Sequence, residues 1–208
     1  MHIAEGVLSL PVLISSNLLA VGGLAIGLRH LDYARIPLTA VLSGVFFIAS
    51  LIHLPIGVTS VHLLMIGLCG LLLGWAAFPA IFIALLLQAI FFGFGGITTL
   101  GVNTLIMAVP AVSVYYLFGR QLQQASAKSV LWRGSLGAVV AVMLGILIMS
   151  SALYLSDAQT YQYLIFWVIV SHLPVMLVEG VVTGVTVGFL YRVQPDLLEM
   201  PKYLAETA

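Results

Sequence analysis

The sequence predicts an all-α polytopic membrane protein with seven transmembrane helices, an N-terminus outside the cell and a C-terminus in the cytoplasm. Apolar residues make up 62% of its 208 residues, which include only seven Lys or Arg and seven Asp or Glu. The mean hydropathy is +1.20. A soluble domain of this size cannot bury so much apolar surface, so most of the chain must lie in lipid. The basic residues are too few and too scattered for a nucleic-acid interface, and no nucleic-acid partner is expected.

Polar and turn-forming residues divide the chain into seven apolar segments. The third and fourth segments are short for a bilayer that needs about 20 residues, so one of them is expected to be tilted or only partly spanning. Pro79 is expected to open the fourth helix, because proline is tolerated in the first helical turn. The last segment is long enough for a substantial tilt or for a bend near Pro174. The predicted spans are 8–28, 36–52, 62–78, 79–93, 102–118, 134–154 and 162–190.

The distribution of positive charge predicts the orientation of these spans. If the first helix runs from outside to inside, every Lys and Arg falls on the cytoplasmic side, as the positive-inside rule requires. The segment before the first helix carries no Lys or Arg, so a cleaved signal peptide is not expected. The seven basic residues are Arg29, Arg35, Arg120, Lys128, Arg133, Arg192 and Lys202.

The same orientation gathers the unusual polar segments on the outer side. These are the N-terminal segment with Glu5, the polar connection 53–62, the glycine-rich loop 94–101 and the turn at Asp157. A single membrane domain over residues 1–208 is the simplest division, with a short cytoplasmic tail from about residue 192. We therefore expect any site for an external substrate to be built from the outer segments.

Three helices carry small residues at four-residue spacing, which lets helix backbones approach closely in lipid. On the sixth and seventh helices, packing within the protein's own bundle is the expected use. On the first helix, contact with a partner membrane protein is an equally good explanation. The stripes are Gly180, Gly184 and Gly188; Gly137, Ala141 and Gly145; and Gly23 with Gly27.

The first two residues, Met1 and His2, are a candidate metal site. The Met1 amine, the next peptide nitrogen and the His2 imidazole can close a five-membered and then a six-membered chelate ring on one cation. Taken alone, a start residue followed by an arbitrary residue is the simpler explanation. His62, at the outer end of the third predicted helix, is the best candidate for a fourth nitrogen donor. Four such nitrogens suit nickel(II) or copper(II), and cobalt(II) also accepts them, whereas magnesium and calcium prefer oxygen.

The remaining histidines and one acid have other expected roles. His30 lies in the basic loop and is most simply solvated, and His53 is an interfacial polar residue beside Pro55. His172 and Glu179 lie two turns apart on one face of the last helix, where ionisable groups are functional by default. Seven residues is too wide a spacing for both to ligate one ion. A buried hydrogen-bond network is therefore preferred over direct substrate contact.

Thr98, Thr99 and Asn103 lie in or just after the glycine-rich loop. Two interpretations remain open for this segment. A flexible loop there can fold over a bound ion and exclude water, or the segment is a polar connector that needs glycine for its turns.

Four motifs together resemble a known family, the CbiM/NikM substrate-binding membrane component of energy-coupling factor transporters for cobalt and nickel. The resemblance covers nearly the whole chain, and the Met-His-Ile start and the loop motif are specific. The motifs are MHIAEGVL at 1–8, TSVHLL at 59–64, GGITTLGVN at 95–103, and His172 with Glu179 and Gly180.

The resemblance implies that the Met1 amine, the His2 backbone nitrogen and ring, and the His62 ring hold the ion, with the loop of Thr98, Thr99 and Asn103 packed nearby. It also implies a multi-pass protein of the prokaryotic cytoplasmic membrane that transports cobalt(II) or nickel(II) and is not an enzyme. Expected partners are a coupling transmembrane subunit, cytosolic ATPase subunits and, in some systems, a small auxiliary membrane protein. These must be separate chains, because the sequence has no nucleotide-binding motif and no fused component after residue 208.

Two other functions are kept as alternatives. One is a stand-alone metal-ion carrier or channel, which would accumulate metal without ATPase partners. The other is an intramembrane metal-dependent hydrolase that uses His172 and Glu179. That enzyme would need a third ligand or a nucleophile near the bilayer midplane, and the sequence places none there convincingly.

Overall fold

The fold is a helical bundle with one small β-hairpin. The computed structural model describes residues 2–56, 59–120, 122 and 124–198, and the side chains of 53–60 are not described. Short 3₁₀ segments lie at Tyr33–Arg35, Gly74–Ala76 and Pro195–Leu198, and a π-helical turn at Tyr115–Gly119 follows the fifth helix. The main elements are α1 (Leu10–Arg29), α2 (Ile36–Ala49), β1 (His53–Ile56), β2 (Thr59–His62), α3 (Ile66–Leu73), α4 (Ala77–Phe92), α5 (Leu100–Val114) and α6 (Ala127–Val193).

Helix α6 is a helical hairpin that contains both predicted spans of the C-terminal half. Asp157 interrupts it with φ −164° and ψ 98°, which is extended backbone. Its carboxylate accepts hydrogen bonds from the Thr160 amide at 3.1 Å and the Thr160 hydroxyl at 2.7 Å, and so caps the second arm. A Cβ atom added to Gly134 would lie 3.0 Å from the Gly184 Cα, so the two arms pack back on each other. The expected turn at Asp157 is confirmed.

The described helices support a multi-pass membrane protein. Four continuous helical stretches are long and apolar enough to cross a bilayer, and Tyr33–Ala49 is a shorter apolar helix. The fourth stretch contains the two arms of α6, each with a predicted span of its own. The four stretches are Leu10–Arg29, Ile66–Phe92, Leu100–Gly119 and Ala127–Val193. The count of seven spans and their orientation remain predictions.

The polar connection after α2 is a β-hairpin, which the sequence analysis did not foresee. Strands β1 and β2 pair antiparallel, with His53 opposite His62. His62 therefore ends a strand, and α3 begins only at Ile66. The prediction that His62 opens a helix is wrong. The intervening Met65 adopts a left-handed backbone, with φ 52°, so the helix cannot extend back to His62.

Helix α3 lies at the centre of the bundle, and all eight of its residues are buried. Glycines allow this close packing, since a Cβ atom added to Gly70 would lie 2.2 Å from the Ala111 carbonyl oxygen. The helix ends at Gly74, whose φ of 56° favours glycine. Helix α4 therefore begins two residues before its predicted start, and Pro79 is its third residue rather than its first.

The glycine stripe of α1 packs inside the protein's own bundle. A Cβ atom added to Gly23 would lie 2.2 Å from the Phe78 ring, and one added to Gly27 would lie 2.7 Å from the Trp75 carbonyl oxygen. The stripe on the second arm of α6 faces the first arm, where a Cβ on Gly184 would lie 2.1 Å from the Ser135 hydroxyl. Both stripes thus serve contacts between helices of this chain.

The bundle has a basic end and an opposite polar end. At the basic end, Arg35 donates a hydrogen bond to the Leu197 carbonyl at 3.2 Å, close to the C-terminal end of α6. At the polar end, the Ser9 amide donates to the Ser156 hydroxyl at 3.2 Å, which joins the start of α1 to the α6 turn. The N-terminal segment, the β-hairpin and the loop before α5 meet at this second end.

Candidate metal centre

The backbone of the N-terminal segment is hydrogen-bonded to a side chain of the bundle, much as a strand is bonded to its neighbour in a sheet. The Asn103 side chain on α5 accepts a hydrogen bond from the Ile3 amide at 2.9 Å and donates one to the Ile3 carbonyl at 3.0 Å. Both residues are only 2% exposed. The amide and the carbonyl of Ile3 are both bonded to the Asn103 side chain. This fixes the position of the preceding residue, His2, in the bundle.

Further hydrogen bonds fasten the rest of this segment. The Glu5 carboxylate accepts from the Thr98 amide at 3.1 Å, and the Tyr161 hydroxyl donates to the Val7 carbonyl at 2.6 Å. Together with the contact between Ser9 and Ser156, these bonds come from α5, from both arms of α6 and from the glycine-rich loop. The segment is therefore a built part of the fold.

The glycine-rich loop allows this approach and is itself clamped to α1. A Cβ atom added to Gly96, whose φ is 143°, would lie 2.1 Å from the Glu5 side chain. Asn17 on α1 donates to the Thr98 carbonyl at 3.0 Å and accepts from the Gly101 amide at 3.2 Å. The buried Thr99 hydroxyl accepts from Asn103 at 3.3 Å. Thr98, Thr99 and Asn103 thus shape and anchor the loop.

Two imidazoles meet beneath this loop. The His2 Nδ1 lies 3.1 Å from the His62 Nε2, and the ring centroids are 4.9 Å apart. Two metal–nitrogen bonds of about 2.0–2.1 Å, at an angle of about 90–110°, separate their nitrogens by about 2.8–3.4 Å. The observed separation matches that of two nitrogen ligands of one transition-metal ion. His62 is 3% exposed, and His2 is half-buried.

The other nitrogen of each ring points at an oxygen atom. His62 Nδ1 lies 2.8 Å from the Leu63 carbonyl oxygen, and His2 Nε2 lies 2.9 Å from the Gln88 Oε1. Carbonyl oxygens only accept hydrogen bonds, so in a neutral ring each of these nitrogens is the protonated one. The two nitrogens that face each other therefore present lone pairs, as metal ligands require. Metal-binding histidines characteristically donate from the second ring nitrogen in this way.

Gln88 is the site residue that the sequence analysis missed. It is fully buried on α4, and its amide nitrogen donates to the Ser50 hydroxyl at 2.5 Å. A signal was available, because Gln88 is the only polar side chain in α4. A lone polar residue in an apolar spanning helix needs a partner, and here that partner is His2.

Glu179 braces the backbone that carries His62. Its carboxyl group is fully buried and accepts hydrogen bonds from the Leu64 amide and, at 2.9 Å, from the Met65 amide. These amides lie between His62 and the start of α3, where the left-handed Met65 turns the chain. The role expected for this acid, a buried network rather than substrate contact, is the one its contacts support.

His172 lies on the same face as Glu179 but makes different contacts. Its ring is 2% exposed, and its Nδ1 donates to the Val168 carbonyl at 2.7 Å. Within the described part of the chain, its Nε2 has no hydrogen-bond partner. Because the Glu179 carboxyl is occupied by backbone amides, the pair does not form the acid and base that a hydrolase would need.

Two predicted positions lie beyond the description. Met1 is outside the described residues, and for His53 only the backbone is described. Among the described residues, no three side chains of His, Cys, Asp or Glu converge on one point. A metal ion between His2 and His62 would therefore need further ligands from another source, such as main-chain nitrogen.

The fold and the paired imidazoles define a class: a polytopic helical membrane protein with a nitrogen-rich candidate site for a transition-metal ion. The chain belongs to the CbiM family, described as the cobalt uptake substrate-specific transmembrane region, whose model matches residues 2–197. It is thus a substrate-specific membrane component of cobalt or nickel transport, and the family is one of transport components rather than enzymes.

Individual relatives agree with this assignment. A Haemophilus influenzae protein, provisionally named as a metal transport protein, is 44% identical over 199 residues, covering 95% of this chain and 97% of its own. The cobalt transport protein CbiM of Kyrpidia tusciae is 32% identical over 229 residues, covering 99% and 89%. The crystal structure of a truncated transition metal transporter superposes with a TM-score of 0.74 at 25% identity, covering 94% of this chain and 99% of that one.

Proposed function

We propose that this chain is the substrate-capturing subunit of an ATP-driven energy-coupling factor importer, and that it binds nickel(II) or cobalt(II) at the outer face of a prokaryotic cytoplasmic membrane. The observation that carries the proposal is the 3.1 Å separation of His2 Nδ1 and His62 Nε2, in two rings whose opposite nitrogens both face carbonyl oxygens. No other paired nitrogen donors of this kind occur among the described side chains. Family membership makes a transition-metal cargo the natural occupant.

The full ligand set is the Met1 amine, the His2 backbone nitrogen, the His2 Nδ1 and the His62 Nε2. The first of these lies outside the described residues, and the resemblance to the family supplies it. The chelate is chemically consistent, because the backbone nitrogen and Nδ1 of one histidine close a six-membered ring. A set made only of nitrogen favours nickel, copper and cobalt over the oxygen-seeking magnesium and calcium.

The orientation follows from the two ends of the bundle. Lys and Arg occur at one end of the bundle, which holds the C-terminal ends of α1 and α5 and both ends of α6. The positive-inside rule assigns this end to the cytoplasm. Seven spans result when the stretch Ile66–Phe92 is divided into α3 and α4 and the two arms of α6 are counted separately. The candidate site then faces outward, where an importer meets its cargo. A coupling transmembrane subunit and cytosolic ATPases would supply the energy, with a small auxiliary membrane protein in some assemblies.

Metal content tests the proposed site. Purified protein with its native N-terminus should carry one nickel or cobalt ion per chain, whereas the His2→Ala and His62→Ala variants should carry far less. The matched control is His30→Ala, since His30 lies at the basic end of the bundle, where its ring contacts the Ile26 carbonyl at 2.8 Å and stacks on Trp75. Measured by mass spectrometry of folded protein, full occupancy in both site variants would contradict the proposal.

Uptake by cells tests the proposed energy source. Cells that produce this chain with the coupling subunit and ATPases should accumulate labelled nickel or cobalt, and inactivation of the ATPases should stop accumulation. Equal accumulation by this chain alone would instead identify a stand-alone carrier. An absorption spectrum of the nickel-loaded protein reports the coordination geometry of the ion, because a square-planar nickel band indicates four ligands in one plane.

A further inference from the structure

A chain of buried hydrogen bonds runs from the candidate centre into helices α4 and α2. His2 Nε2 contacts the Gln88 Oε1 at 2.9 Å, the Gln88 Nε2 contacts the Ser50 hydroxyl at 2.5 Å, and that hydroxyl contacts the Phe47 carbonyl at 2.7 Å. Gln88 and Ser50 are both fully buried. Neither residue is a metal ligand, so their function must be exerted through His2.

The direction of every bond in this chain is determined by its last member. The Phe47 carbonyl can only accept a hydrogen bond, so the Ser50 hydroxyl donates its single proton to this carbonyl. Ser50 can then only accept from Gln88, which turns the amide nitrogen of Gln88 toward Ser50. The amide oxygen must therefore face His2, and the proton between Gln88 and His2 must belong to His2 Nε2.

This direction matters because only one tautomer of His2 can chelate. A neutral imidazole has one protonated nitrogen and one lone pair. With the proton on Nε2, the lone pair lies on Nδ1, which closes the six-membered ring with the residue's own backbone nitrogen. With the proton on Nδ1, the lone pair would lie on Nε2, too far along the ring to close that chelate. The lone pair would also point away from His62.

We infer that Gln88 and Ser50 are positioning residues that hold His2 in the Nε2–H tautomer before the ion arrives, so that Nδ1 is the ready ligand. The inference rests on the proposed metal site but concerns the empty protein. This series of hydrogen bonds has a second effect. A hydrogen bond donated by His2 Nε2 raises the basicity of His2 Nδ1 and so makes it a stronger metal ligand. Because both residues are buried away from water, solvent cannot replace the missing acceptor.

The direct test is nitrogen-15 magnetic resonance of histidine-labelled, metal-free protein, in which protonated and unprotonated ring nitrogens resonate at well-separated shifts. The His2 signals are identified by their loss in His2→Ala. Native protein should show His2 protonated at Nε2 and unprotonated at Nδ1. An Nδ1–H tautomer in native protein would overturn the inference without any variant, and it would leave the metal-content test of the proposed function unaffected.

Three substitutions test which residues impose the tautomer. Gln88→Met keeps the length of the side chain but removes the oxygen, so the His2 proton should redistribute between its two nitrogens. Gln88→Glu restores an oxygen acceptor and should restore the Nε2–H signal. Ser50→Ala frees the Gln88 amide to turn its nitrogen toward His2, which should shift the proton to Nδ1. If Gln88→Met or Ser50→Ala retains the native tautomer, the inference is wrong.

Nickel affinity gives the functional readout. Gln88→Met and Ser50→Ala should each bind nickel about 10–100-fold more weakly, as removal of outer-sphere partners does elsewhere, with Gln88→Glu close to native. The control is Ser43→Ala, because Ser43 is a buried serine on α2, the helix that Ser50 caps, and its hydroxyl donates to the Ala80 carbonyl at 2.7 Å, away from His2. Ser43→Ala should keep native affinity and tautomer. Equal losses in Ser43→Ala and Ser50→Ala would show a packing effect and overturn the inference.

Discussion

Asn103 forms two hydrogen bonds with the backbone of Ile3, a residue separated from it by 100 positions in the sequence. One primary amide thereby does what a neighbouring strand would do, because it accepts from the amide and donates to the carbonyl of the same residue. Because Ile3 is buried, its amide and carbonyl groups need hydrogen-bond partners inside the protein. The pair therefore explains how the segment that carries His2 becomes a fixed part of the candidate site.

The first prediction removes this clamp. Asn103→Leu leaves the Ile3 amide and carbonyl buried without partners, at a cost of about 1–3 kcal/mol for each group. The N-terminal segment should then detach, and nickel binding should weaken at least as much as outer-sphere losses do, about 10–100-fold. Isothermal titration calorimetry measures the affinity.

The control for the clamp is the next residue on α5. The Thr104 hydroxyl is buried and bonds within its own helix, to the Leu100 carbonyl at 2.8 Å. Thr104→Val should therefore bind nickel with near-native affinity. The explanation fails if Thr104→Val weakens binding as strongly as Asn103→Leu does.

The second prediction concerns Glu179. Glu179→Leu leaves the amides of Leu64 and Met65 unpaired, so the turn after His62 should loosen, and both the thermal midpoint and nickel affinity should fall. Glu179→Gln keeps one acceptor oxygen and should have an intermediate effect. Thermal unfolding in detergent and calorimetry measure the two effects.

A neighbouring threonine provides the comparison for Glu179. Thr183 lies one turn further along α6, is fully buried, and its hydroxyl has no partner within the described residues. Thr183→Val removes a polar atom that makes no bond there, so both readouts should stay native or improve slightly. If Thr183→Val is as harmful as Glu179→Leu, general packing rather than the amide contacts explains the loss.

The third prediction tests the amine of Met1. A peptide extension before Met1 converts the amine into an amide, which removes one proposed ligand, so tight nickel binding should disappear while the fold remains. Protease removal of the extension, with Met1 left as the first residue, should restore binding. An extended protein that binds as tightly as the native one would exclude the amine as a ligand.

The fourth prediction concerns the central helix. Gly70→Ala places a Cβ atom within 2.2 Å of the Ala111 carbonyl oxygen, and backbone atoms cannot rotate away. Overpacking of this kind destabilises by about 1–3 kcal/mol, so the thermal midpoint should drop. Gly22→Ala is the control, since nothing lies within 4 Å of its added Cβ. Equal midpoints for the two variants would contradict the close packing of α3 and α5.

Much of the candidate site could be predicted from local features of the chain. His2 and His62 were named from their residue types and their common outer position, and the structure brings their rings together. The contact between Gln88 and His2 could not be predicted in this way. A single glutamine in an apolar helix shows that a polar partner is needed, but not which residue supplies it. The β-hairpin was missed since the turn-forming residues of 53–60 indicate a connection, and pairing of its two halves depends on the surrounding helices.

The sequence by itself determined the membrane class, the approximate spans and the candidate nitrogen donors. These depend on composition, periodicity and residue type, which act locally along the chain. Only the tertiary structure decided that α3 lies buried at the centre, that the α1 glycines pack against α4, and which nitrogen of His2 faces His62. Those properties arise from contacts between residues far apart in the chain, where the direction of a hydrogen bond at Ser50 determines the chemistry available at residue 2.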